Sequence, residues 1–281
     1  MRAAALLLAL ALSGCVRYAV RSSTERYVAP RDLADRAAMA GDRPVVLLVP
    51  GSMIVGDFYD ELASWLESQG HWPVVYTAPD LITRPIPEAA ALIAQAIHVV
   101  AEGSQQDHIH IIAECDGGIA ARYALEKLGA HVRVDRFISF VSAHGGTSGF
   151  PITYYPALRD IQPDSELVWE MAHSRLPRDS PTTAVSISFC DDEVMKPHTT
   201  SAYSGAINIA VCDPSVTQRA QDREPPDVGH SLGQAMIPMY CQHFAGFWDP
   251  AIFALYQTIL EGDVDDIREH QGLVFELQDD R

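Results

Sequence analysis

The sequence predicts an α/β fold in which helices cover both faces of a mainly parallel β-sheet. Short apolar runs alternate along the chain with longer segments whose apolar residues recur at helical spacing. The short runs are apolar at nearly every position, as in Val45–Val49, which is typical of strands buried on both faces. With 281 residues, of which 48% are hydrophobic, the chain is long enough to bury one large core.

The first predicted elements are a strand, a turn and a helix. Strand Val45–Val49 leads into a turn at Pro50–Met53, and a helix is predicted over Asp57–Gln69, because its apolar residues fall on one face. Gly70 ends that helix. The other predicted strands are Pro73–Thr77, Ile109–Ala113, Arg136–Ser142, Thr183–Phe189 and Ile207–Val211, and the other helices are Pro87–Glu102, Gly117–Leu128 and Ser165–His173.

Two segments depart from this alternation. Residues 149–181 are rich in Pro, Tyr and Trp and lose the strand–helix order, so we expect a cap or lid insertion there. The acidic tail Glu261–Arg281 is expected to form a peripheral helix or strand rather than a second domain.

The N-terminus is predicted to be a targeting segment. Arg2 precedes an apolar run, Ala3–Leu12, that is too short for an ordinary membrane-spanning helix. The run ends in Leu-Ser-Gly-Cys15, which resembles the lipobox of bacterial lipoproteins. This resemblance implies a signal peptide over 1–14, a lipidated Cys15 with a tether over 15–42, and an α/β domain over 43–281.

Lipidation would place the protein outside the cytoplasm, anchored to the bacterial cell envelope on its periplasmic side or at the outer membrane. The alternative is a plain secretory signal in which Cys15 is incidental. A formal net charge of −17 argues against nucleic-acid partners and fits a neutral or weakly polar substrate.

The segment 110–123 contains the strongest chemical signal. A strand runs into Ala-Glu-Cys115-Asp-Gly and then into a helix, which would place a thiol at a sharp turn. The nearby helix N-terminus is expected to lower the pKa of Cys115 and favour the nucleophilic thiolate. A buried structural cysteine is the alternative.

An acid and a base follow in the chain. The stretch Asp192–Pro197 comes after a predicted strand and resembles a loop of α/β-hydrolase lipases, which implies that Asp192, with Asp191 as the second choice, orients a histidine. His230, in a late loop and followed by Ser231, resembles the lipase base and is the predicted base, with His243 as the fallback.

An oxyanion hole needs backbone N–H groups aimed at the developing charge. We expect one from Asp116 and one from the Ser52 loop, where the Ser52 hydroxyl adds a further donor.

These motifs together resemble the extracellular lipases of the α/β-hydrolase superfamily, both the bacterial class 2 lipases and the fungal lipase B type. The resemblance implies the α/β-hydrolase fold, the chain order nucleophile–acid–base, and an acyl-enzyme. The departure is Cys115 at the position where the family has serine. The stretches that carry the resemblance are Leu47–Ser52, Ile109–Tyr123, Ser142–Thr147, Asp192–Pro197, Ala210–Pro214 and Asp227–Ser231.

Export permits disulfides, and an unpaired Cys115 leaves three partners besides Cys15. Of these, Cys212–Cys241 is the preferred pair, although sequence does not fix the connectivity.

His108 and His110 could form a pair of metal ligands, but they are more simply explained as residues at the entrance of a strand. No metal or other cofactor is therefore expected.

The sequence therefore predicts an exported lipase or carboxylesterase that cleaves an ester or lipid substrate through Cys115, His230 and Asp192. One alternative is an acyltransferase, because thioesters react readily with amines and thiols and some polyester synthases use a cysteine elbow. Another is a binding lipoprotein without activity. The oligomeric state is not predicted.

Overall fold

Six parallel strands form the central sheet in the part of the chain that the structure describes, as predicted. The computed structural model describes residues 30–52, 59–78, 82–149, 155–222 and 242–269. Neighbouring strands pair in parallel in the order β2-β1-β3-β4-β5-β6. Their bounds are β1 Val45–Val49, β2 Trp72–Val75, β3 Ile109–Glu114, β4 Val134–Phe140, β5 Thr183–Phe189 and β6 Ile207–Val211.

Nine α-helices lie in the described part of the chain. Their bounds are α1 Pro30–Ala38, α2 Asp60–Ser68, α3 Ile86–Ser104, α4 Cys115–Lys127, α5 Pro156–Asp160, α6 Glu166–Ala172, α7 Pro214–Asp222, α8 Pro250–Glu261 and α9 Val264–Glu269.

The sheet is covered on both faces. All five residues of β1 are buried, and the last four of β3 are buried as well. Since successive side chains of a strand point to opposite faces, both faces must be packed against other elements. Helix α3 contacts both α1 and α4, while Trp65 of α2 stacks on Phe253 of α8 with ring centroids 4.9 Å apart.

The strand order creates a switch point between β1 and β3. The chain passes from β1 outward to β2 and then returns to the other side of β1 to form β3. Val49 pairs with Ala113, so the residues that follow these two strands lie side by side at the carboxyl edge of the sheet. Sites in open α/β sheets lie at such an edge, and both Ser52 and Cys115 follow these strands directly.

The insertion at 149–181 contains two short helices, α5 and α6, within the residues described. Ser165 caps α6 by accepting a hydrogen bond from the Val168 N–H at 3.1 Å. The predicted tail begins at the last residue of α8 and continues into α9. Residues 270–281 lie outside the described residues.

The predicted disulfide Cys212–Cys241 is wrong in its pairing, because the structure joins Cys212 to Cys190. Phe189 and Val211 pair across β5 and β6, so the next residues, Cys190 and Cys212, emerge beside each other with Cα atoms 4.9 Å apart. That separation is the natural distance between neighbouring strands and suits a disulfide. Cys241 lies outside the described residues.

The targeting segment, with Cys15, also lies outside the described residues. Among the helices described, none is long and apolar enough to cross a membrane.

A buried arginine ties helix α4 to the insertion. Arg122 donates to Glu126 at 2.8 Å and to the carbonyl oxygens of Met171 and Ser174 at 2.7 and 3.1 Å. Its guanidinium also lies 3.9 Å from the ring centroid of Tyr203. The helix that follows Cys115 is thereby held against the segment expected to cap the site.

We expect Arg122→Ala to lower the free energy of unfolding by about 3–5 kcal/mol, because it leaves Glu126 buried without its partner. The half-exposed pair Lys127–Glu170, 3.1 Å apart, provides the control, and Lys127→Ala should cost no more than about 1 kcal/mol. Urea unfolding followed by circular dichroism measures both, and equal losses would contradict this account of Arg122.

Candidate active site

A sharp turn places Cys115 between β3 and α4. The strand ends at Glu114, the helix begins at Cys115, and Cys115 itself has a φ of +54°. A non-glycine residue in this left-handed region is strained and persists only where the surroundings enforce it. A Cβ on Gly117 would collide with the Pro50 carbonyl oxygen, and one on Gly118 with the Ser142 hydroxyl. The two glycines therefore allow the turn to pack tightly.

Asp192 and a histidine meet beside this turn, and that histidine is His243. Its Nδ1 lies 2.9 and 3.1 Å from the two carboxylate oxygens of Asp192. The Asp192 carboxylate also accepts hydrogen bonds from the N–H groups of Val194 and Met195, at 2.7 and 2.9 Å. Burial opposes ionisation of Asp192, but His243 and these N–H groups outweigh it and lower the pKa of Asp192.

The structure thus places His243, the second choice of base, next to Asp192. On its other side, His243 approaches Cys115, with the sulfur and a ring nitrogen within 4.8 Å of each other. His230, the predicted base, lies outside the described residues. Within the described residues, no hydrogen bond joins Asp191, the second choice of acid, to His243. The acid, the histidine and the thiol are all buried.

Glu114 is the site residue that the sequence analysis missed. Its Oε1 lies 3.3 Å from His243 Nε2, and its Oε2 accepts the Gly51 N–H at 2.7 Å. His243 is therefore held between two carboxylates. The signal available in the sequence was an acidic residue directly before the elbow cysteine.

The charges around Cys115 reverse the expected shift of its pKa. Burial, Asp116 and Glu114 raise the pKa of the thiol to about 12, against the opposing effect of His243. Burial alone would lower the pKa of His243, but Asp192, Cys115 and Glu114 together raise it well above its ordinary value. Both shifts favour the protonated forms, because the pKa of the thiol and the pKa of the imidazole are each raised.

Asp116 occupies the loop from which oxyanion donors were expected. Its carboxylate accepts the Ser52 N–H at 2.5 Å and also contacts the Ser52 hydroxyl. Burial raises the pKa of Asp116 to about 7, although the bonds from Ser52 oppose this shift. The Ser52 hydroxyl also has the Ile82 carbonyl oxygen as an acceptor, at 2.7 Å. Both expected Ser52 donors therefore already have acceptors within the protein.

Three other histidines lie apart from the cluster of Cys115, His243 and Asp192. His144 is buried with its Nε2 2.8 Å from the Ser139 hydroxyl. His108 is exposed, and His110 Nδ1 lies 3.9 Å from Asp135. Burial lowers the pKa of His110 to about 4.

Comparisons with known proteins agree with this architecture. A family model described as palmitoyl protein thioesterase matches residues 81–182, which contain the Cys115 turn. Aspergillus fumigatus lipase B superposes with a TM-score of 0.60 at 17% identity, covering 80% of this chain and 54% of that one. A metagenomic carboxyl esterase gives a TM-score of 0.51 at 15% identity, covering 73% of each chain.

The chain has the α/β-hydrolase fold. Mature Bacillus licheniformis lipase BlEst2 has a TM-score of 0.51 at 12% identity, covering 61% of this chain and 84% of that chain. The chain spans about half the length of the Aspergillus lipase. No curated protein sequence matches it.

Removing Glu114's charge should make Cys115 more reactive. Glu114 raises the pKa of the thiol, so Glu114→Gln should shift the pH profile of Cys115 alkylation to lower pH. The rate with iodoacetamide, followed by mass spectrometry of the Cys115 peptide, measures the shift. Glu166→Gln, which alters an exposed carboxylate, is the matched control, and identical profiles for all three proteins would contradict the prediction.

Releasing Ser52 should speed acylation. Asp116→Ala frees the Ser52 N–H and keeps the backbone N–H of residue 116, so we expect acylation by a p-nitrophenyl ester to rise about 10-fold or more. Asp116→Asn keeps an acceptor for Ser52 but removes the charge, and should fall between Ala and wild type. Stopped-flow release of p-nitrophenol gives the rates, and a slower Ala variant with an intact fold would show that Asp116 assists the reaction.

Proposed function

We propose that this chain is an ester hydrolase that forms a thioester acyl-enzyme at Cys115, with His243 as the proton carrier and Asp192 as its orienting acid. The observation that carries the proposal is the arrangement of three buried residues at a strained strand–helix turn: Asp192 binds His243 at 2.9 Å, and His243 has a ring nitrogen within 4.8 Å of the Cys115 sulfur. The α/β-hydrolase fold and the thioesterase family model over residues 81–182 support it.

The reaction begins with a neutral His243, formed when Nε2 gives its proton to solvent water. The free Nε2 then takes the thiol proton of Cys115 while the sulfur attacks the carbonyl carbon of the substrate. The Asp116 backbone N–H and the Ser52 donors receive the negative oxygen once the Asp116 carboxylate has moved aside. Asp192 keeps Nδ1 protonated and stabilises the charge that forms on the ring.

The second half regenerates the Cys115 thiol. The imidazolium of His243 gives its proton to the leaving alcohol or thiol, and the C–O or C–S bond of the substrate breaks. Water then attacks the carbonyl carbon of the Cys115 thioester and gives a proton to His243. The bond from that carbon to the Cys115 sulfur breaks, the acid is released, and His243 passes the proton to the sulfur, which restores the thiol and the neutral imidazole.

The substrate class we propose is a neutral acyl ester or thioester. The acidic chain disfavours anionic ligands. The family model that matches residues 81–182 is described as palmitoyl protein thioesterase, which favours an acyl thioester or ester. We further propose that Cys15 is lipidated and anchors the enzyme to the bacterial cell envelope, which places it next to lipid substrates. Residues 1–29, which support this localisation, lie outside the described residues.

Steady-state assays with p-nitrophenyl esters and with acyl thioesters of short and long chains test the proposal. We expect sustained turnover by the wild type, an acyl adduct on Cys115 in the intact mass, and neither in Cys115→Ala. Cys115→Ser should keep ester hydrolysis. A single burst of product, with a stable adduct that an added amine discharges, would instead show an acyltransferase. If no adduct forms although Cys115 is reduced, the protein is a binding lipoprotein without activity.

The two histidines give a direct test of the site. We expect His243→Gln to lower the acylation rate about 100-fold or more, because it removes the proton carrier beside Asp192. The matched variant His230→Gln should have a much smaller effect, with circular dichroism showing that both remain folded. The reverse order of effects would assign the base to His230.

A further inference from the structure

The active-site cluster also presents a set of metal ligands. One oxygen of Glu114, the Cys115 sulfur and one ring nitrogen of His243 all lie within 4.8 Å of one another, and all three residues are buried. We propose that these three side chains bind a divalent cation of the zinc type, and that the bound ion blocks the active site. The binding stands on these ligands alone, whereas the inhibition rests on the proposed function.

The donor set selects the class of ion. Thiolate, imidazole and carboxylate are the ligands that zinc and neighbouring first-row metals take, whereas magnesium and calcium prefer oxygen ligands only. Nitrogen and oxygen ligands at about 2.0–2.1 Å in a tetrahedral site are separated by about 3.3 Å. His243 Nε2 and Glu114 Oε1 are 3.3 Å apart, so two of the ligands already have this spacing.

Outer contacts hold these two ligands in place. Asp192 binds Nδ1 of His243 at 2.9 Å, which leaves Nε2 directed at the cluster. The Gly51 N–H binds Oε2 of Glu114 at 2.7 Å, which leaves Oε1 facing His243. A carboxylate behind a metal-binding histidine fixes the ring and strengthens the ligand, and backbone contacts do the same for a carboxylate.

The acidic side chains of the cluster also favour a cation. Glu114 and Asp192 are buried on two sides of the His243 ring, at 3.3 Å from Nε2 and 2.9 Å from Nδ1. Asp116, which directly follows Cys115, is buried as well. A divalent ion held by Glu114, Cys115 and His243 would be attracted by these acidic groups.

Binding would remove the two groups that the reaction uses. The Cys115 sulfur and His243 Nε2 would be bonded to the ion and unable to attack a carbonyl carbon or accept a proton. Three protein ligands leave a fourth position for water, so the ion can be displaced by a chelator. The inference is a reversible metal block of a thiol enzyme.

Cobalt(II) is the probe for the site, using the full chain after treatment with a chelator. We expect a thiolate-to-cobalt charge-transfer band in the near ultraviolet and intense visible bands typical of tetrahedral cobalt, both lost when zinc is added. Cys115→Ser should lose the charge-transfer band, which separates this site from the other cysteines. Glu114→Gln should weaken zinc binding, and Asp192→Asn should weaken it about 10–100-fold, while Glu166→Gln should bind as the wild type does.

Protection of the thiol provides a second readout. Zinc should slow the modification of Cys115 by methyl methanethiosulfonate, whereas magnesium should not. Absence of both the cobalt band and zinc protection would overturn the metal site. A cobalt band in a protein that hydrolyses no ester would uphold the site and overturn the proposed function, and ester turnover that zinc leaves unchanged would overturn the block.

Discussion

The turn at Cys115 is the constraint on which the site depends. A cysteine with positive φ is unfavourable in isolation, so the surrounding packing must hold it. The Pro50 carbonyl lies where a side chain on residue 117 would lie, and the Ser142 hydroxyl lies where one on residue 118 would lie. Glycine at both positions lets β1, β4 and α4 close around the turn and present the sulfur to His243.

Electrostatics then sets the resting state of the site. Burial, Asp116 and Glu114 raise the pKa of the Cys115 thiol, while Asp192, Cys115 and Glu114 raise the pKa of His243 against the opposing effect of burial. These shifts disfavour the thiolate of the thiolate–imidazolium pair found in many cysteine enzymes. Glu114 lies 3.3 Å from His243 Nε2 and so competes with Cys115 for that nitrogen. The same competition gives the cluster the ligands of a metal site, so catalysis and metal binding would exclude each other.

Much of the architecture could be predicted from the sequence, because local patterns determine it. The bounds of β5 and β6 match the prediction, and the predicted helix over Pro87–Glu102 differs from α3 by one residue at its start and two at its end. The start of α4 was placed two residues late, because helical propensity does not show that a strained cysteine begins the helix. The nucleophile and acid candidates followed from motifs at the ends of buried strands, where parallel sheets collect functional residues.

The sequence by itself determined the α/β architecture, the elbow at Cys115 and the loop that carries Asp192, because each depends on residues close together in the chain. Tertiary structure alone decided which histidine meets Asp192, that Cys190 rather than Cys241 pairs with Cys212, and that Glu114 and Asp116 face the site. These outcomes depend on strand register and on packing between distant segments. The spacing of residues along the chain shows neither the strand register nor the packing between distant segments.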